Sequence, residues 1–262
     1  MENNSLVETA SNAIADVVKP IYDDLAHPAA QETGKAIARI PRFLNALCVN
    51  FDIWILRREH NEKMVTLELN TQLQNVPQEK IVEPDPYIAV PALQAIAISY
   101  DSSELRSMYA HLLSKSMHID YKNDVHPSFV EIIKQLSPID CMVFKEVMSI
   151  DENPILTAIL YKDDKVGPLG KYEIIHTNLN VLSSCTYEQS KVALDNLNRL
   201  NLLEIRKDLG YSNTDLYLSV MDSPFCVELK SKYGSKLDFQ ENALLKNNFS
   251  YLFHKICVSD LS

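Results

Sequence analysis

The sequence has few glycines and no long apolar run, and each absence narrows the classes of protein that it can encode. Only 5 glycines occur among 262 residues, too few for an all-β protein rich in tight turns or for glycine-rich phosphate loops. The longest run without a charged residue, Pro86–Tyr100, has 15 residues, whereas a membrane-spanning helix needs about 20 mainly apolar ones. The N-terminus lacks the basic and apolar regions of a secretory signal. We therefore expect a soluble, cytoplasmic protein.

The cysteines and histidines do not form a recognisable metal or redox motif. The cysteines are never closer than 31 residues, and they are Cys48, Cys141, Cys185, Cys226 and Cys257. That spacing fits neither a disulfide framework nor a CxxC site. None of the 7 histidines belongs to an HxH or HExxH pattern, and nucleophile-elbow, Walker and dinucleotide motifs are also absent. The sequence predicts a protein that is not an enzyme, without cofactor or metal, and leaves open only a site assembled from distant residues.

One basic segment stands out in a chain whose net charge is −10. Gly34–Arg58 contains five basic residues and a single acidic one, Asp52. Lys35, Arg39 and Arg42 are spaced at i, i+4 and i+7, which places them on one side of a continuous helix. The simplest interpretation is a solvated face of a core helix. The functional alternative is a site for an anionic partner, with Lys35, Arg39 and Arg42 as its predicted contacts.

The same segment also carries an apolar stripe, which raises the possibility of membrane binding. Its residues recur at helical spacing, and they are Ile40, Leu44, Leu47, Phe51 and Trp54. A helix with basic and apolar sides can lie in a membrane interface. Asp52 and the break at Pro41 argue against deep insertion.

A second segment predicts a well-defined helix between two X-Pro steps. His126-Pro127 begins it and Ser137-Pro138 ends it while capping the next helix. Its predicted apolar side consists of Phe129, Ile132, Ile133 and Leu136. The opposite side carries Glu131, Lys134 and Gln135, which are either solvated or a partner face. Together with other helical patterns upstream, this segment predicts a helical domain over residues 1–150.

Beyond Asp151 the pattern changes to short strands, the first two predicted at Ile155–Tyr161 and Tyr172–Ile175, and two helices. Thr186 and Gln189 have capping-box spacing and open a helix, and Asn201 is its predicted left-handed cap. A strand at residues 202–206, a turn and a second strand at residues 215–220 follow, with a last helix over Ala243–Ile256. Helix, strand, turn and strand in this order are typical of a winged-helix module. The sequence thus predicts a smaller α+β module of winged-helix type over residues 151–262.

The charges of this module disfavour nucleic acid as its partner. Between Lys171 and Lys232 there are seven basic and eight acidic residues. The predicted recognition helix contains charges that cancel, whereas a phosphate-binding surface usually concentrates Lys and Arg on one face. Winged helices also serve in protein docking, and docking is the favoured interpretation here.

Several segments together resemble the Abi-alpha family, proteins associated with bacterial abortive infection against phage. They are Tyr22–Ile40, Val76–Ile96, Glu104–Met117, Val125–Asp140 and Asp195–Ile205. The most specific is VHPSFVEIIKQLSPID, at Val125–Asp140, which is similar to the family signature nearly residue for residue. The resemblance implies a role in phage defence. It carries no catalytic residue over to this chain.

The sequence therefore predicts a mainly α fold with a helical domain followed by a winged-helix-like module. Its predicted function is non-enzymatic abortive infection through protein–protein recognition of a phage or host component. The alternatives are a membrane-acting effector that uses residues 34–58, at the inner face of the membrane, and a DNA-binding regulator. The identity of the partner and the oligomeric state are left open.

Overall fold

The computed structural model describes residues 67–98, 102–162 and 170–261. The chain divides into two compact units. The first contains the described residues up to Lys134 together with those from Ile256 onward, and the second is Gln135–Lys255. Whether residues 1–150 and 151–262 fold independently is a different property, and that predicted division stays a prediction.

Helices build most of the described part of the first unit. Residues 67–73 are helical, and the further helices are α1 (Pro86–Ile98), α2 (Ser103–Ser116) and α3 (Ser128–Lys134). Short 3-10 turns lie at Gln78–Lys80 and Lys122–Asp124. The helix α2 begins after Ser102, whose hydroxyl accepts a hydrogen bond from the Leu105 amide at 3.2 Å. This bond satisfies one of the amides that have no partner within the helix.

The second half of α2 is buried on every side. All residues of Met108–Ser116 are buried, although several are polar. Burial of polar groups is costly unless they are hydrogen-bonded. The hydroxyls of Ser114 and Ser116 donate to backbone carbonyls three residues earlier, at 2.9 and 2.7 Å. The Lys115 ammonium donates to the Ser259 carbonyl at 2.6 Å.

The predicted burial of the segment between the two X-Pro steps is confirmed. Phe129 and Ile133 are 0% exposed, Ile132 is 7% and Leu136 is 6% exposed. The helix α3 begins directly after His126-Pro127, as predicted.

Side chains of the first unit hold the last described residues in place. The Gln72 amide nitrogen and the His111 ring lie 2.9 and 3.1 Å from Oδ1 of Asp260. The Leu261 backbone amide donates to the side-chain oxygen Oε1 of Gln72 at 3.2 Å. Lys115 of α2 also donates a hydrogen bond to the Ser259 carbonyl. Together these contacts hold residues 259–261 against α2 and the helix at 67–73.

The second unit alternates helices with strands. Its elements are α4 (Pro138–Ser149), β1 (Asn153–Tyr161), β2 (Tyr172–Leu179), α5 (Tyr187–Arg199), β3 (Glu204–Arg206), α6 (Leu218–Met221), α7 (Pro224–Tyr233), β4 (Leu237–Leu245) and α8 (Asn248–Cys257). Two predicted helix starts are confirmed by capping boxes. Ser137 and Asp140 form one at α4, and Thr186 and Gln189 form the other at α5.

The strands form one antiparallel sheet in the order β2-β1-β4-β3. This sheet, set among helices, makes the fold mixed α/β, so the prediction of a mainly α protein with a winged-helix-like module is wrong. The residues predicted as the second wing strand, 215–220, are instead a 3-10 turn at Thr214–Tyr217 and the helix α6. The strand that pairs with β3 is β4, far later in the chain.

The strand β4 was missed because its middle is polar. The sequence predicted a helix from Ala243, but β4 continues to Leu245 and α8 begins at Asn248. Asn242 is 1% exposed, and its side chain is fully engaged. Its side-chain oxygen Oδ1 accepts a hydrogen bond from the Thr157 hydroxyl at 2.7 Å, and its side-chain nitrogen Nδ2 donates to the Lys207 carbonyl at 2.9 Å. A strand with a buried polar residue at such a position does not show the apolar alternation that identifies strands.

One face of the sheet is covered by α6, α7 and the turn before α6. The buried residues of this cluster are Leu156, Ala158, Leu179, Tyr217, Val220, Cys226 and Leu229. Tyr217 also fixes the loops, because its hydroxyl donates to the Asn242 carbonyl at 2.9 Å and accepts from the Tyr211 amide at 2.9 Å. The helical conformation of residues 215–220 places both Tyr217 and Val220 against the sheet.

The burial of α3 predicts the effect of emptying its core position. We expect Ile133→Ala to lower the free energy of unfolding by about 2–5 kcal/mol, since it removes packed atoms and leaves a cavity. Lys134→Ala is the matched control. Lys134 lies in an exposed ion pair with Glu131, so its loss should cost at most about 1 kcal/mol. Chemical denaturation measures both, and equal effects would contradict the assignment of Ile133 to the core.

The contacts at Asp260 predict a small, pH-dependent contribution to stability. The hydrogen bond from the Gln72 side-chain amide, together with the adjacent His111 ring, holds the pKa of Asp260 below its ordinary value of 3.8. A carboxylate with a depressed pKa stabilises the fold above its unfolded-state pKa, and the effect is lost as the pH falls through the folded-state pKa.

We expect Asp260→Asn to lower the free energy of unfolding at neutral pH by less than about 1 kcal/mol, since the side chain is exposed and water screens it. The difference from wild type should shrink as the pH falls well below 3.8. Urea denaturation over this pH range measures it. A difference that does not depend on pH would contradict the assignment.

Candidate functional site: the open edge of the sheet

The predicted site residues fall into two groups with different outcomes. Lys35, Arg39 and Arg42 lie outside the described residues, so they stay a predicted contact for an anionic partner. Glu131 and Lys134 lie exposed on α3, where the Lys134 ammonium and a Glu131 carboxylate oxygen form an ion pair at 2.7 Å. The structure thus brings these two together.

The third residue of that predicted partner face, Gln135, is engaged within the second unit. Its side-chain oxygen accepts a hydrogen bond from Arg199 Nη1 at 3.0 Å. Its carbonyl accepts one from the Asn196 amide nitrogen, also at 3.0 Å. The same nitrogen lies 3.0 Å from the Asp140 carboxylate. These bonds join the start of α4 to α5, so Gln135 has a structural role here, and its part in a partner face stays a prediction.

One polar cluster brings a serine, a histidine and an aspartate together. The Ser107 hydroxyl lies 3.4 Å from Nδ1 of His111, and Asp260 Oδ1 lies 3.1 Å from Nε2. The Ser107 carbonyl oxygen is closer to Nδ1, at 2.7 Å, and accepts its hydrogen. An activated serine requires the opposite, a ring nitrogen that accepts the hydroxyl proton. The cluster therefore anchors residues 259–261 and does not prepare a nucleophile.

The described ranges contain neither a metal-binding cluster nor a membrane-spanning helix. No group of three or more His, Cys, Asp or Glu side chains in this part of the chain is placed to hold a metal ion. Among the same residues, none of the helices combines the length and apolar character needed to cross a membrane.

The open edge of β2 is the most distinctive surface of the second unit. β2 is the terminal strand of the sheet and pairs only with β1 among the described strands. A terminal strand presents unpaired backbone amides and carbonyls, which can bind another extended chain. The exposed surface at the start of this strand, named the β2 edge, consists of Lys171, Tyr172, Glu173 and Ile174.

The hydrogen-bonding phase of β2 determines which backbone groups point outward. The Lys162 amide donates to the Lys171 carbonyl at 2.8 Å, so these two residues form a hydrogen-bonded pair. Such pairs alternate with non-bonded pairs along an antiparallel ladder. Glu173, opposite Leu160, therefore also points its backbone groups toward β1. Tyr172 and Ile174 point theirs away from the sheet.

The same two residues expose their side chains. Tyr172 is 53% and Ile174 is 54% exposed. Each lies directly opposite a buried residue of β1, since Tyr172 pairs with Tyr161 and Ile174 pairs with Ile159. The rings of Tyr161 and Tyr172 are in edge-to-face contact with centroids 6.1 Å apart. An apolar ladder thus begins in the core and ends at the open edge.

A bulge ends the regular part of this edge at Ile175 and His176. The register shifts by one residue there, because Ala158 pairs with His176 while Ile159 pairs with Ile174. The His176 ring packs edge-on against Phe225 at 5.0 Å, on the face covered by α7. Its burial, and to a smaller extent the nearby Lys191 ammonium, lower the pKa of His176. His176 is therefore neutral at neutral pH and adds no charge beside the β2 edge.

The sequence predicted the strand but not its place in the sheet. The sequence pattern predicts a strand at Tyr172–Ile175. Its position at the edge of the sheet depends on the strand order, which the pairing of β4 determines. An alternating pattern of charged and apolar residues, Lys171 to Ile174, was the signal available. Strands with one exposed edge often carry charged residues.

Comparison with known proteins places the chain in a family. No curated protein and no solved structure matches it. The model of the family described as abortive infection alpha matches residues 57–259. This range includes the β2 edge and most of both units, and the description of the family points to a role in abortive infection. The resemblance noted in the sequence is confirmed, and this chain belongs to the abortive infection alpha family.

Proposed function

We propose that this protein acts in abortive infection through protein–protein recognition and without catalysis. The observation that carries the proposal is the β2 edge, where outward backbone groups and exposed apolar side chains belong to the same two residues, Tyr172 and Ile174. An extended segment of another chain that pairs with this edge would gain backbone hydrogen bonds and cover both side chains. The partner's backbone gives affinity, and its alternate side chains give specificity.

The charges at this edge favour a polypeptide over nucleic acid. Lys171 and Glu173 flank Tyr172 with opposite signs, and Glu173 forms an ion pair with Lys162 at 2.8 Å. Such a surface offers no concentration of positive charge for phosphates. On the predicted recognition helix, Lys191 is paired with Glu188 at 2.9 Å. Protein is therefore the preferred partner class.

The membrane alternative depends on residues 34–58, which lie outside the described residues. It remains a second prediction, with Lys35, Arg39 and Arg42 as its basic contacts. Co-sedimentation of the full chain with anionic vesicles tests it separately from the β2 edge.

We expect Ile174→Lys to weaken binding of the protein partner about tenfold or more and to reduce phage protection in plaque assays. A lysine at an edge strand opposes pairing with another strand. Because Ile174 is exposed, the free energy of unfolding should change by less than about 0.5 kcal/mol. Val227→Lys is the matched control, since Val227 is 50% exposed on α7 of the same unit. It should protect as well as wild type.

Two results would contradict the proposal. The first is an Ile174→Lys variant that is folded and protects as well as wild type. The second is an equal loss of protection in Ile174→Lys and Val227→Lys, which would reflect added charge and not the edge. Thermal denaturation of both variants accompanies the plaque counts.

A further inference from the structure

We infer that a partner of the β2 edge is a second copy of this chain. The two β2 strands pair antiparallel, with Tyr172 opposite Tyr172 of the second copy on a two-fold axis. This inference rests on the proposed function only in its use of the same edge. It names the occupant and the register, both of which can be measured without any phage.

The hydrogen-bonding phase of β2 limits the ways in which two copies can pair. Only residues whose amides and carbonyls point outward can form the bonded pairs of a new ladder. On the β2 edge these are Tyr172 and Ile174. Each must therefore face an outward residue of the second copy, which leaves four symmetric alignments with an axis inside the β2 edge. Their two-fold axes pass through Lys171, Tyr172, Glu173 or Ile174.

The charges of the facing residues distinguish these alignments. An axis through Lys171 places two ammonium groups directly opposite each other, and an axis through Glu173 does the same with two carboxylates. Like charges in that position are destabilising. An axis through Ile174 brings the bulge at Ile175 and His176 into the ladder. An axis through Tyr172 places Lys171 of each copy opposite Glu173 of the other. Charge and regularity both select the alignment through Tyr172.

Within one copy, the two charged side chains of the β2 edge differ in their ion pairs. Glu173 is held near the edge by its ion pair with Lys162. The Lys171 side chain forms no ion pair with any other described residue and is exposed. A dimer supplies this lysine with a carboxylate, twice, because the contact is repeated by symmetry.

Pairing through Tyr172 would also cover the exposed apolar side chains of the β2 edge. The Tyr172 rings of the two copies meet on the face where each already contacts its own Tyr161 ring. Aromatic pairs directly across two strands stabilise a sheet. Ile174 faces Gly170 of the second copy, which has no side chain to obstruct it. The result is a continuous eight-stranded sheet with a row of four tyrosines across its centre.

The charge arrangement gives a direct test of the register. Lys171→Glu places acidic residues opposite acidic residues in its own dimer, and Glu173→Lys does the same with basic residues. We expect each variant alone to dimerise about tenfold more weakly than wild type. An equimolar mixture should form a heterodimer, since every facing pair is then of opposite charge. The double variant should recover the wild-type affinity.

Sedimentation velocity over a range of concentrations measures all five samples. Wild type that remains monomeric at the highest accessible concentration overturns the inference. So does a dimer whose affinity is unchanged in both single variants, or a mixture that does not form the heterodimer. Thermal denaturation of the dilute proteins controls for the ion pair with Lys162, which Glu173→Lys removes.

A cysteine cross-link tests the position of the axis. In a bonded antiparallel pair the facing Cα atoms lie about 5.5 Å apart, within the range that a disulfide spans. Tyr172→Cys should therefore give a covalent dimer under mild oxidation. Ile174→Cys should not, because each new thiol faces Gly170. Wild type controls for the native cysteines, and efficient cross-linking through Ile174→Cys would contradict the register.

The outcome of these tests is separable from that of the proposed function. If the chain is monomeric but Ile174→Lys loses protection, the edge binds a different protein, and the inference fails while the function stands. If the dimer forms with the expected charge pattern but Ile174→Lys still protects, the inference stands and the function of the edge fails.

Discussion

The pairing of β4 with β1 determines the arrangement of the second unit. This ladder runs from Asn153 opposite Leu244 to Leu160 opposite Leu237, and it joins residues far apart in the sequence. The free energy of such long-range pairing must exceed the entropy lost on closing the intervening chain. The buried bond between Thr157 and Asn242 contributes to this register, because a shift by one residue would leave both polar groups unpaired in the core.

The open edge follows from that ladder. With β4 on one side of β1, the hairpin partner β2 takes the other side and has no described strand beyond it. The same arrangement leaves β3 as the opposite terminal strand, only three residues long. A short strand offers little to a partner, whereas β2 presents Tyr172 and Ile174 in phase with its outward backbone groups. The surface that we associate with recognition is thus a consequence of strand order.

Local features of this protein could be predicted from its sequence, whereas the strand order could not. The capping boxes at Ser137 and Thr186 and the burial of Ile133 are set by residues three or four positions apart, so they are visible in the sequence. Asn201, predicted as a left-handed helix cap, does adopt a positive φ of 56°. The strand β4 is not visible in the sequence, because the hydrogen-bond partners that allow Asn242 to be buried lie elsewhere in the chain. The helical residues 215–220 are likewise held by a distant contact, the hydrogen bond from Tyr217 to that same strand. The candidate site depends on both of these distant contacts.

Amide hydrogen exchange at residue resolution tests the central claim most directly. At low protein concentration the account predicts fast exchange for the amides of Tyr172 and Ile174, which point away from the sheet, and slow exchange for Glu173, which points toward β1. As the concentration rises, the Tyr172 and Ile174 amides should become protected while Glu173 stays slow. Protection of Tyr172 and Ile174 at every concentration, or fast exchange at all three residues, would contradict the account.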